Sequence, residues 1–227
     1  MSAREEILNR LRAARQRGMP FSEAEMPERL PVTRLAPDED LKARFVSEAE
    51  RVRAHVHCVP DAQAALATLR ALLTTLQAQR AVVWDEAHLP VRGVVALLDA
   101  LGVARVEGDN HAVATADVGI TGADAALATT GTLVLASGRG RPRMASLLVP
   151  VHIALLTEDR IVPRLEDYIA AQRAQGLRVF RTSSNVTLIS GSSRTSDIEM
   201  HPVFGVHGPL ALHIVLIENL RGEMPAA

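Results

Sequence analysis

Short, wholly apolar runs alternate with helical stripes along most of this chain. The spacing predicts a helix over 39–53, capped by Asp38, with Leu41, Phe45, Ala49 and Val52 on one face. A strand over 54–59 follows, then a helix opened by Pro60-Asp61 with Leu66, Leu69, Leu72, Leu73 and Leu76 inward. Strands are expected at 81–84, 103–107, 116–120, 132–136, 152–157, 186–190 and 210–217. Helices are expected at 90–101, ended by Gly102, and at 163–175, stopped by Gly176. Apolar strands alternating with amphipathic helices imply an α/β fold whose sheet is covered on both faces. The later strands lack long intervening helices, so a mostly parallel but mixed sheet is expected.

The first 37 residues differ. Positions 2–17 read as a helix with an S-x-x-E box at Ser2 and Glu5, a thin stripe of Ile7, Leu8 and Leu11, and arginines elsewhere. Such a stripe suits docking on the chain's own domain or on a partner. Positions 18–37 hold Pro20, Pro27, Pro31 and Pro37 and no periodicity, as a linker does. The expected division is 1–37 arm and linker, 38–220 α/β domain, and 221–227 frayed tail.

Composition narrows the function. Of 227 residues, 48% are apolar and 3% aromatic, so the core is built from aliphatic side chains. A formal charge of −1, and basic stretches without interleaved aromatics, point away from nucleic acid. No run reaches the length of a membrane span and no signal-peptide core is visible, so a cytoplasmic protein is expected. The single Cys58 cannot form an internal disulfide or supply a four-cysteine cluster.

The candidate chemistry gathers in three loops. The stretch 190–209, SGSSRTSDIEMHPVFGVHGP, lies between two apolar runs. Ser190, Gly191, Ser192, Ser193 and Thr195 can form an anion-binding nest of backbone N–H groups, and Arg194 adds charge. Asp197 and Glu199 either act as chemical groups or organise a turn through the S-x-x-E box at Ser196. His207, beside Gly208, is the best acid–base candidate among the histidines. A metal site of Asp197, Glu199 and His207 matches no established ligand spacing, and no metal is assigned. In 120–132, ITGADAALATTGT, Gly122 and Gly131 bracket one expected turn of helix with Asp124 at its start. There Thr130, Gly131 and Thr132 either face an anion or merely connect two strands. In 137–143, SGRGRPR, Arg139 and Arg141 read as solvated, whereas Arg143 is placed to clamp an anion. His55 and His57 alternate along a strand; His152 and His213 sit inside apolar strands as core histidines do.

These segments carry a resemblance. GITGADAALATTGTLVL (119–135), SLLVPVHIALL (146–156) and ISGSSRTSDIEMHPVFGVHGP (189–209) are similar to the lactate-utilisation protein C family, the LUD domain, over about 38–217. The resemblance implies a three-layer α/β/α fold like that of ribose-phosphate isomerases, glucosamine-phosphate deaminases and coenzyme A transferases. It also implies a cytoplasmic system oxidising L-lactate to pyruvate, with iron–sulfur clusters in partner subunits and no cofactor in this chain. The family often has Glu where this chain has Thr129, and Pro where it has Ser192. The expected function is a subunit binding a small carboxylate or phosphate-like anion at Thr130, Gly131, Thr132, Arg143, Ser190–Thr195, Glu199 and Gly208. His207 or Asp197 would move a proton, with the pocket at strand ends as in open α/β sheets. The alternatives are a non-catalytic assembly module and an isomerase- or transferase-like enzyme acting on a sugar phosphate or thioester.

Overall fold

A computed structural model describes residues 3–16, 33–196 and 202–220; the side chains of 15, 16, 196 and 202–204 are left aside. Contacts divide the chain into two units, 1–32 and 33–227. In the first, α1 (Ala3–Gln16) exposes Ile7 and Leu11.

The second unit opens with α2 (Leu41–Arg51), whose N-cap is Asp40; its carboxylate accepts from the Lys42 and Ala43 amides. The cap falls two residues later than the spacing suggested. Next come β1 (Ala54–Val59), α3 (Ala62–Thr75), β2 (Arg80–Val83), α4 (Val94–Leu101), β3 (Ala104–Arg105) and a short α5 (Asn110–Val113). Beyond them lie β4 (Val118–Gly122), β5 (Ala125–Leu127), β6 (Thr132–Ser137), β7 (Val151–Thr157) and β8 (Ile161–Val162). The chain continues through α6 (Leu165–Ala174), α7 (Arg178–Thr182), β9 (Asn185–Ile189), β10 (Arg194–Ser196), β11 (Pro202–Phe204) and β12 (Ala211–Ile217).

Six strands form one wholly parallel sheet in the order β1-β12-β7-β4-β2-β3. Every residue of β4, and all but the first of β7, is buried. Consecutive buried residues point to opposite faces, so both faces are covered. The mixed pairing expected of the later strands sits in a second sheet, β8-β5-β6-β9, where β6 runs antiparallel to both β5 and β9. Alternation along β6 divides its side chains: Leu133 and Leu135 join the main core, while Val134 joins a smaller cluster with Ala125, Leu127 and Tyr168. β10 and β11 make a separate antiparallel hairpin within the loop-rich insert.

Helix α2 runs from one edge of the parallel sheet to the other. Near its start, Lys42 pairs with Glu158 at 3.6 Å and Glu218 at 3.2 Å, just past the carboxyl ends of β7 and β12. Its end meets the loop that follows β9.

Candidate functional site

The insert 190–210 leaves β9 and returns to the start of β12, so it stands at the amino edge of the parallel sheet. This corrects the expectation drawn from open α/β sheets, whose ligands gather at the carboxyl edge. The reason is the separate second sheet: the insert follows a strand of that sheet, not of the parallel one.

Two glycines fix the insert against α2. Gly131, at φ 59°, lies so close to the helix that an added Cβ would stand 2.2 Å from the Ala49 nitrogen. Gly191, at φ 80°, leaves no room either: a Cβ there would be 1.9 Å from the Val52 carbonyl oxygen. Both positions demand glycine by conformation and by space. The two residues lie beside the β6–β9 ladder, whose end is extended by a 2.8 Å hydrogen bond between the Thr132 and Ser190 hydroxyls. Thr132 also bonds the Thr130 hydroxyl at 2.8 Å. Thr130, Gly131 and Thr132 therefore brace the insert rather than line its cavity.

Ser193 ties the insert together. Its N–H donates to the Pro209 carbonyl at 2.9 Å, and its own carbonyl accepts from the Gly205 N–H at 3.0 Å. Its hydroxyl accepts from the His207 N–H at 3.3 Å. A cavity of about 270 Å³ results, bordered by Arg143, Ser190–Arg194, His207 and Gly208, with Ser146 and Leu147 beside them. Arg143, Arg194 and His207 are all exposed there, and no carboxylate is among its described lining residues. Thr195 continues into β10, paired with Val203. Asp197 and Glu199 lie outside the described residues, so their roles stay as the sequence left them. An apolar groove of about 470 Å³ along Leu147–Pro150 and Gly205–Gly208 shares the His207 wall.

The other two loops depart from expectation. Residues 125–130 form β5 and a short 3-10 turn, not a turn of α-helix. Asp124 therefore caps nothing. Its carboxylate accepts from the Ala136 N–H at 2.6 Å and pairs with Arg141 at 3.3 Å, with side chains 11% and 12% exposed. Arg141, read from its glycine-rich surroundings as solvated, is thus a buried partner. Burial raises the Asp124 pKa; the Ala136 amide, Arg141, Arg160 and His88 oppose that shift. Thr129 is buried, its hydroxyl donating to the Pro163 carbonyl at 3.2 Å.

The largest of these clefts, about 680 Å³, was not legible in the sequence. It is lined by Glu50, Arg53, His55, His57, Ser192 and Leu210 with their neighbours. Register places His55 directly opposite His213. The His213 ring stacks on His55 at 4.9 Å and on His57 at 5.5 Å, and its Nδ1 lies 3.2 Å from His57 Nε2. Burial and the neighbouring histidines lower the His213 pKa to about 4, and burial lowers that of His57. The alternation of His55 and His57 along one strand was the only available signal, because pairing with His213 is a long-range contact. His152, by contrast, is buried: its Nε2 meets the Thr121 hydroxyl at 2.8 Å.

A parallel sheet covered by helices and braced by a smaller mixed sheet, with a loop cavity bordered by Arg143, Arg194 and His207 at its amino edge, places the chain in the α/β class of proteins. The LUD domain profile matches residues 42–217. The chain belongs to the LUD domain family. It is 33% identical to lactate utilization protein C of Halalkalibacterium halodurans over 65% of this chain and 66% of that protein. To the protein of the same name from Geobacillus sp. it is 32% identical over 76% of this chain and 77% of the relative. The match to the Exiguobacterium sp. lactate utilization protein C is 41% identical but covers 46% of each. The matched stretch thus spans just under two thirds of the first of these relatives and under half of the third. A crystal structure of a DUF162 family protein from Deinococcus radiodurans shares the fold, with a TM-score of 0.58 at 22% identity over 78% of this chain and 96% of that one. Among the described residues no helix is long and apolar enough to cross a membrane.

Proposed function

We propose that this chain is a component of a system that oxidises L-lactate to pyruvate, and that it binds a small carboxylate or phosphate-like anion in the Arg143–Arg194–His207 cavity. The observation that carries the reading is convergence. Arg143 lies well before the insert that holds the 190–194 run and His207, yet all three border one small cavity without a described carboxylate. Two guanidinium groups supply charge-assisted hydrogen bonds to an anion, and the hydroxyls of Ser190 and Ser192 supplement them. The names of the lactate utilization protein C relatives support the pathway.

Oxidation of lactate removes two electrons and two protons. His207 can accept the hydroxyl proton, while breaking the C2–H bond passes its electron pair to an acceptor outside this chain and its proton to that acceptor or to water. Iron–sulfur subunits are the proposed acceptor, since the single Cys58 cannot ligate a cluster alone. A second reading, an assembly module, is favoured by one observation: the Ile7 and Leu11 stripe of α1 is exposed.

The test is a thermal-shift titration with L-lactate, D-lactate, pyruvate, phosphate, a sugar phosphate and coenzyme A. Ligand at a hundred times its Kd adds about 2.7 kcal/mol, a rise of roughly 5–10 °C for a domain of this size. A shift with lactate or pyruvate, abolished by Arg143→Ala and Arg194→Ala, is expected. If no anion shifts the wild-type chain, the assembly reading takes its place. A shift confined to the sugar phosphate or coenzyme A would point to isomerase- or transferase-type chemistry.

A further inference from the structure

His55 and His57 line a different cleft from the anion cavity, with the His213 ring packed against both, and the two clefts share Ser192 alone among the functional residues named above. We propose that His57 and His213 form the bite of a binding site for a divalent transition ion of borderline softness, with His55 and Glu50 within the same cleft to complete the shell.

The geometry carries it. His57 Nε2 and His213 Nδ1 stand 3.2 Å apart. Two imidazole nitrogens bound about 2.0–2.1 Å from one zinc ion at a tetrahedral angle are separated by roughly 3.3–3.4 Å. The rings are already held at that bite by strand register, since β1 and β12 are paired along their whole length. Without an ion, one nitrogen must donate to the other. With an ion, both present lone pairs and the protons move to His57 Nδ1 and His213 Nε2.

The surroundings agree. The cleft that His55 and His57 line is open enough, at about 680 Å³, for ion and water to enter, and Glu50 and Arg53 also border it. Imidazole ligands favour Zn(II), Cu(II) and Ni(II) over the oxygen-seeking Mg(II) and Ca(II). Among the described residues no three His, Cys, Asp or Glu side chains already surround one point. The site is accordingly a two-nitrogen bite, its remaining positions filled by water or by rotation of His55 or Glu50.

The experiment is titration of the metal-free full chain with Zn(II) by calorimetry, paralleled by electron paramagnetic resonance with one equivalent of Cu(II). Expected are one Zn(II) per chain and nitrogen hyperfine structure from at least two imidazoles. His57→Ala and His213→Ala should each weaken Zn(II) by more than the roughly tenfold that loss of an outer-shell partner alone produces. His111→Ala, on an exposed residue outside the cluster, should leave it unchanged. Circular dichroism checks that each variant is folded. If His213→Ala unfolds, His57→Ala and the wild-type copper spectrum decide alone. Absence of Zn(II) binding, binding that survives His57→Ala, or a copper spectrum with fewer than two imidazoles overturns the proposal.

Discussion

The Ser193 hydroxyl accepts the backbone N–H of His207 at 3.3 Å, joining the two flanks of the insert across its hairpin. The backbone of His207 is thereby tied to a residue that follows β9, though His207 itself belongs to the loop leading into β12. Ser193→Ala removes this acceptor and leaves the two backbone bonds of Ser193 intact. A cost of about 0.5–1.5 kcal/mol is expected, a fall in Tm of very roughly 1–6 °C. Binding of pyruvate or phosphate should weaken as well. Calorimetric melting of the variant with and without ligand measures both, and wild-type values for both would show that the contact organises nothing.

Gly131 and Gly191 hold the cavity at a fixed distance from α2. Alanine at either site must adopt a left-handed backbone and displace the helix main chain at 48–52. The strained conformation alone costs on the order of 1–3 kcal/mol, and displacing packed backbone adds to it. Urea unfolding should therefore place Gly131→Ala and Gly191→Ala well below the wild type in midpoint. A loss under about 0.5 kcal/mol at both sites would mean that α2 shifts freely.

The extent to which this was legible from sequence follows the range of the interactions involved. β1, β6, β7, β9 and β12 were visible because apolar runs bounded by turn residues are local signals. The clustering of small and chargeable residues in the 137–143 and 190–209 loops was visible because it is local; that Arg143, Ser190–Arg194 and His207 border one cavity is a long-range relationship that only the structure supplies. Pairing was not visible. Nothing in SGRGRPR says that Asp124 waits beside Arg141, so a glycine-rich arginine loop reads as solvated. The same holds for His213, which sits in a fully apolar strand and becomes a cluster member only when β12 lies beside β1. Helix α7 is five residues long, too short for a period to show.

The Asp124–Arg141 pair supplies a further test. Both side chains are nearly buried, so removing one partner strands the other charge, at about 3–5 kcal/mol. Arg141→Met should show that loss, and Asp124→Asn at least a comparable one, since it strands the Arg141 guanidinium, which cannot shed its charge as the Asp124 carboxyl can. The double variant should cost less than the sum of the singles, because the pair is coupled. Equilibrium unfolding of all three variants completes the cycle, and strict additivity would show that the two charges do not interact.

The histidines set a pH dependence whose sign follows from their direction of shift. His152 is held neutral by burial, its pKa lowered to about 3, and His213 is lowered to about 4. The unfolded chain titrates near 6.5 at both, so between these values it binds more protons than the folded one. Stability therefore falls as pH drops below about 6.5 and continues to fall toward 4. The contribution is fully present above that upper value. His152, fully buried, carries most of it, on the order of a few kcal/mol; the half-exposed His213 adds less, because solvent screens it. Its one described bond, to Thr121, does not require the charged ring. His152→Gln keeps a polar group beside Thr121 but cannot titrate in this range. Its unfolding free energy should thus be lower than wild type at pH 7, yet flatter with pH, so that the two curves converge toward pH 4.5. Urea unfolding at half-unit steps from pH 7.5 to 4.5 measures both slopes, and parallel curves would show that His152 titrates alike in the folded and unfolded chain.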